Sequence, residues 1–299
     1  MALAIEKKNT LRLSLSCLLC GVLITDPLTA GDNPLLRSYR EGEKLIYLMS
    51  GVNENWHYRI QADGVVKKDA NGTLFEEYGW SHLISDDQKV DLPPASRNFR
   101  QHVSLEPARK PSIPNLSQVD PRLIGPITDL LTFYADLWLA EKIGKLTHAG
   151  DHFYSSDGNT NSWADGNFVL IGEDAIDFDL TLAEVDRTEN TATLIVHHVP
   201  PEKSKLDLPA EWTRRPVADT TNNWIQVQKT RNGSYLAAAG KETFDVRIKL
   251  SLADGKILSG TMENSVRTIE RDCADAALTN CSESRPHTIA RHVEISLVH

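Results

Sequence analysis

Asp157, Asn159, Asn161 and Asp165 set side-chain oxygens at alternate positions of a short polar run, DGNTNSWAD. A turning loop can aim such oxygens inward at a hard cation, as the first, third, fifth and ninth places of an EF-hand loop do, so Ca2+ is the ion this run would hold. The match ends there, because Ser162 stands where the EF-hand glycine makes its sharp turn and Phe168 where a bidentate Glu is needed. The competing account is plain loop chemistry, since Asp, Asn, Gly and Ser are the usual residues of connections between strands. A second chemistry is carboxylate acid–base work by Asp151, Asp157 or Asp165 near Trp163, whose ring could stack on a sugar. Trp56, Trp80, Trp212 and Trp224 extend that glycan reading, with core packing as the alternative.

Other polar groups offer less. His197 and His198 are neighbours in a strand-like run, so they point to opposite faces and cannot share one ion. His148 and His152 have helical metal-ligand spacing, yet Gly150 between them signals a turn. Asp177 and Asp179 share one sheet face and read as solvated positions. Asp129 and Asp136 lie inside an otherwise apolar segment, where a carboxylate needs a partner or a shifted pKa, and a hydrogen bond to nearby backbone is the expected role. No G-x-S-x-G elbow, P-loop, G-x-G-x-x-G or H-E-x-x-H occurs, so no catalytic residue is assigned and no cofactor beyond that Ca2+ is expected.

The elements that must position these groups are mostly strands. Phe244, Val246, Ile248, Leu250 and Leu252 alternate with polar residues, as do Ile176, Phe178, Leu180 and Leu182 and, near the end, Ile289, Val293, Ile295 and Leu297. Asp63-Gly64, Asn71-Gly72, Asn232-Gly233 and Asp254-Gly255 read as two-residue turns, which join antiparallel neighbours. Residues 244–252, 256–272 and 287–298 thus form a three-stranded meander. One helix is expected from Pro126 near 126–143, stopped by Gly144, and Phe133, Tyr134, Leu137 and Trp138 on it are the candidate cavity-lining residues. It is apolar over most of its wheel with Thr128, Asp129, Thr132 and Asp136 on one stripe, so it must be covered, here by a curved sheet. Proline-rich stretches 106–122 and 200–219 read as extended connections.

The N-terminus carries Lys7, Lys8 and Arg12, an apolar run LSLSCLLCGVLI and a small residue at Ala30, the pattern of a secretory signal over residues 1–30. The run is too short for a spanning helix, no membrane span is expected in 31–299, and the protein is placed in a periplasmic or extracellular compartment. Cys17 and Cys20 leave with the signal. Cys273 and Cys281, at C-x7-C, then pair as a disulfide.

The 299 residues carry a net charge of -9, which becomes -10 on removal of the signal, with 29 basic residues against 39 acidic. That balance excludes nucleic acid as a main partner. The expected fold is mainly β, one antiparallel, strongly curved sheet or incomplete barrel with a long apolar helix packed on it, as a single domain over 31–299. This layout resembles the half-barrel lipoprotein carriers of bacterial envelopes, in architecture and not in motif. The resemblance implies a non-enzymatic protein that holds an apolar small molecule or lipid. A secreted glycan-active hydrolase or glycan-binding protein, and an interaction protein offering a sheet edge to a partner, are the alternatives.

Overall fold

The computed structural model describes residues 33–156, 160–162, 169–203, 205–230 and 232–298. The signal segment 1–30, Asp157, Asn159, Trp163 and Asp165 fall outside them.

Strand alternation builds one antiparallel sheet of fourteen strands among these residues. Three strands open it, β1 (Lys44–Asn53), β2 (Trp56–Lys68) and β3 (Leu74–Ser85), with the small β4 (Gln88–Lys89), a short helix α1 (Pro94–Asn98) and β5 (Gln101–Ser104) after them. The long helix α2 (Pro121–Ile143) follows. Then come β6 (His152–Ser155), β7 (Thr160–Ser162), β8 (Val169–Ala175), β9 (Asp177–Asp186), β10 (Thr191–Val199), a one-turn α3 (Glu211–Arg214) and β11 (Trp224–Lys229). The C-terminal meander is β12 (Tyr235–Ser251), β13 (Ile257–Cys273) and β14 (Arg285–Val298), and β14 returns to pair with β1.

The sheet forks at β12. Its first half, Tyr235 to Gly240, pairs with β11, and its second half, from Phe244, pairs with β10. Asn223 fills the fork: its Nδ2 donates to the carbonyls of Ala175 and Glu242, and its Oδ1 accepts from the Glu242 amide. One buried amide side chain thus satisfies backbone groups that the parted strands leave open.

The sheet wraps α2. Tyr58 and Ile60 of β2, Tyr78 and Trp80 of β3, Leu180 and Leu182 of β9, and Val246 and Ile248 of β12 join the helix in one core cluster. Among the described residues α2 is the one helix long and apolar enough to cross a membrane, and here 72% of its apolar window is buried in protein. Gly260 of β13 lets the helix approach, since a Cβ there would lie 2.8 Å from the Phe133 ring.

Three expectations change. The helix starts at Pro121, not near 126: Asp120 caps it by accepting from the Arg122 amide, and Pro126 is carried inside it. Its end at Gly144, with φ 61°, is as expected. Both proline-rich connections shorten or gain structure, 106–122 by the start of α2 and 200–219 by α3. Asp63-Gly64 is no turn; it sits mid-strand in β2, where Gly64 leaves room for the Tyr78 ring, with which any Cβ at this position would collide. Cys273 and Cys281 form the expected disulfide, packed with Ala210, Ala237 and Leu278.

Candidate functional site

Five strands each carry a polar residue in phase with inward apolar ones. Asp174 is in phase with Ile176 and Phe178, His198 with Leu194 and Val196, and Glu242 with Phe244 and Val246. Asn264 lies between Met262 and Val266, and Arg291 precedes Val293 and Ile295. Because side chains two apart share a strand face, all five point to the α2 side. From the helix, Asp129 and Asp136 stand seven residues apart, two turns, and so share one face.

Between this polar belt and the helix lies a cavity of about 530 Å³. Asp129, Asp136, Asp174, His198, Glu242 and Arg291 line it, together with apolar walls from Leu131, Trp138 and Leu139 of α2 and from Ile176, Phe178 and Phe244 of the sheet. Exposed Lys110 and Ile113, from the connection before α2, stand at its edge.

Two hydrogen-bonded arrays cross it. In the first, Tyr58 donates to Asp129 Oδ2 at 2.8 Å, and Arg291 pairs with Asp129 Oδ1. Arg291 also donates to Asn264 Oδ1 at 3.4 Å, and Asn264 Nδ2 donates to Glu242 Oε1 at 3.1 Å. The array therefore ties β2, α2, β14, β13 and β12 into one polar seam. In the second, His198 Nε2 meets Asp136 Oδ1 at 2.7 Å, with the imidazole clamped between Phe178 and Phe244, ring centroids 4.8 and 4.9 Å away.

Burial decides the protonation. Glu242 is pushed up to about 8 by loss of water and by the neighbouring charge of Asp174, against the opposing pull of Asn264 and Arg291. Burial also raises Asp136, with His198 pulling the other way. Arg291 loses water too, but Asp129, Tyr58 and Glu242 hold its guanidinium above its ordinary value.

A different buried network sits at the C-terminal end of α2. Arg37 forks onto Glu141 at 3.0 and 2.9 Å, its own amide donates to the same carboxylate at 2.8 Å, and Glu76 lies 3.7 Å away. Tyr78 bridges Glu76 at 2.5 Å and Tyr134 at 2.6 Å. None of these groups lines the cavity. The network fastens the segment before β1 to the helix.

The residues singled out in the sequence scatter. Phe133, Tyr134 and Leu137 are wholly buried in the core; of the four helix residues expected to line a cavity, only Trp138 does so. The cavity lies along the polar stripe of α2 and the flanking Leu131, Trp138 and Leu139, whereas Phe133, Tyr134 and Leu137 are packed in the core. Asp129 and Asp136 bond to side chains, not to backbone. Asp151 is spent on a turn, accepting from the amides of Thr147 and His148. Asp177 is buried, bonded to Tyr154 and paired with Lys205, whereas Asp179 meets His152 at the surface. Asn161 is in strand β7, its backbone opposite Asp174 of β8. Trp56, Trp80, Trp212 and Trp224 are buried or half-buried, so none of them is an exposed stacking platform. Among the described residues no group of three His, Cys, Asp or Glu is placed to hold a metal ion.

Comparison with protein-family models, curated proteins and solved structures found no match.

The sequence pattern does not mark Glu242 or Arg291 as site residues, and it weighs His198 only with His197 as a shared ion ligand. A signal was there: each is a polar residue in phase with an inward apolar register, a position that a packed sheet fills with carbon unless something polar faces it.

Proposed function

We propose that the protein is an exported binding protein, non-enzymatic, that holds a small, mostly apolar ligand in the cavity between α2 and the sheet. The observation that carries this reading is the cavity itself. Its size falls within the range of small-molecule sites, and its walls of Leu131, Trp138, Leu139, Ile176, Phe178 and Phe244 are apolar with a few convergent polar groups, as in such sites. Export is supported by the signal-like N-terminus and by the disulfide, which suits an oxidising compartment.

Native mass spectrometry on protein purified without detergent tests it. The expected result is a bound small molecule that organic extraction removes. Ala135 of α2 also lines the cavity, and Ala135→Trp, which fills it from the helix side, should abolish the adduct while leaving the circular dichroism spectrum unchanged. A wild-type protein that carries no adduct and takes up no apolar probe would overturn the reading.

A further inference from the structure

Resting on that cavity reading, we propose that the ligand is uncharged: the site takes a neutral apolar molecule and turns away the carboxylate and ammonium forms of the same chain. The argument starts from how the charged lining residues are already used. Arg291 is paired with Asp129, whose other oxygen accepts from Tyr58. His198 meets Asp136 at 2.7 Å, both side chains being almost wholly buried. Glu242 accepts from Asn264, and Asp174 and Lys110 are engaged as well. The charged groups therefore answer one another, and Glu242, held protonated at neutral pH by burial, adds no charge of its own.

The helix side offers no further donor. Thr128 and Thr132 line the cavity, but their hydroxyls donate to the carbonyls of Ile124 and Thr128, each at 3.0 Å, so both protons are spent within α2. Asp136 Oδ2 and His198 Nδ1 have no hydrogen-bond partner among the described residues, and both atoms are themselves buried, out of contact with the open space. The walls left to receive a ligand are Leu131, Trp138, Leu139, Ile176, Phe178 and Phe244. A charged head placed among them loses its water and finds no unpaired opposite charge. To be matched it would have to pull Arg291 from Asp129 or His198 from Asp136, which leaves the displaced partner buried and alone. A neutral molecule leaves both pairs intact and gains from the apolar surface it covers.

Isothermal titration of the wild-type protein at pH 7 with decanol, decylamine and decanoate, each below its solubility or micelle limit, separates the claims. Decanol should bind at least tenfold more tightly than either ion. If either ion comes within tenfold of decanol, the neutral-ligand proposal fails and the cavity reading stands. If none of the three binds, the cavity reading fails with it. Asp129→Asn removes the charge that answers Arg291 and keeps a side chain of the same shape. In that variant decanoate should gain at least fivefold over wild type, while decylamine should not gain. A smaller gain for decanoate, in a variant whose circular dichroism matches wild type, overturns the argument from charge pairing. The wild-type series decides the charge preference even if that variant does not fold.

Discussion

Replacing Glu242 by Gln should change the pH dependence of stability more than stability itself. In the folded protein Glu242 titrates at about 8 instead of 4.5, because it is buried and Asp174 adds like charge. The unfolded chain gives up this proton near the ordinary value, so between about 4.5 and about 8 the folded state binds the extra proton. The contribution is complete below the lower value and is lost as pH rises through the higher one. At about 1.4 kcal/mol per pKa unit the ceiling is about 5 kcal/mol. Asp174 shares the strain, so a loss of about 2 to 4 kcal/mol across the window is expected. Gln resembles the protonated acid: its carbonyl can accept from Asn264 Nδ2 as Glu242 Oε1 does, and it cannot ionise. Urea unfolding of both proteins from pH 5 to 9, disulfide intact, is the assay. The two should agree within about 1 kcal/mol at pH 5, and the variant should be the more stable by about 2 to 4 kcal/mol at pH 9. The other buried acids, Glu76 and Asp136, are raised in both proteins and cancel in the difference. Parallel curves, or a variant weaker at pH 9, would refute the assignment of a buried, protonated Glu242.

Other perturbations reach the rest of the molecule. Arg37→Met leaves Glu141 and Glu76 buried without their cation and should cost about 3 to 5 kcal/mol in denaturant unfolding. Gly64→Ala drives a methyl into the Tyr78 ring and toward the Leu45 carbonyl, 2.7 Å away, and should lower stability by about 1 to 3 kcal/mol with the fold unchanged by circular dichroism. Cys273→Ala with Cys281→Ala should lower stability by about 2 kcal/mol, since the closed loop is short; an unchanged denaturation midpoint would show that the bridge does not constrain the unfolded chain. The proposed export is checked by N-terminal sequencing of the mature protein, which should begin at Gly31.

The mainly antiparallel sheet, its hairpins at Asn71-Gly72, Asn232-Gly233 and Asp254-Gly255, the terminal meander and the disulfide were legible in the residues, because each rests on near neighbours in the chain. Glycines at positive φ close all three of those turns. Asp63-Gly64 misled for the same reason: its turn-like composition is local, while the demand on Gly64 comes from Tyr78 across the sheet. The first half of β12 was also silent, because Ala237, Ala238 and Ala239 are all buried and give no alternation to read.

The sequence by itself determined that one apolar helix with a stripe of Thr128, Asp129, Thr132 and Asp136 must be wrapped by sheet, since hydrophobic periodicity is written in consecutive residues. It did not say which side of that helix would be left open. Tertiary structure decided this, covering Phe133, Tyr134 and Leu137 with strands and setting the stripe opposite Asp174, His198, Glu242 and Arg291. Those residues come from strands far apart in the chain, and the charge and protonation of the cavity depend on their being brought together out of water.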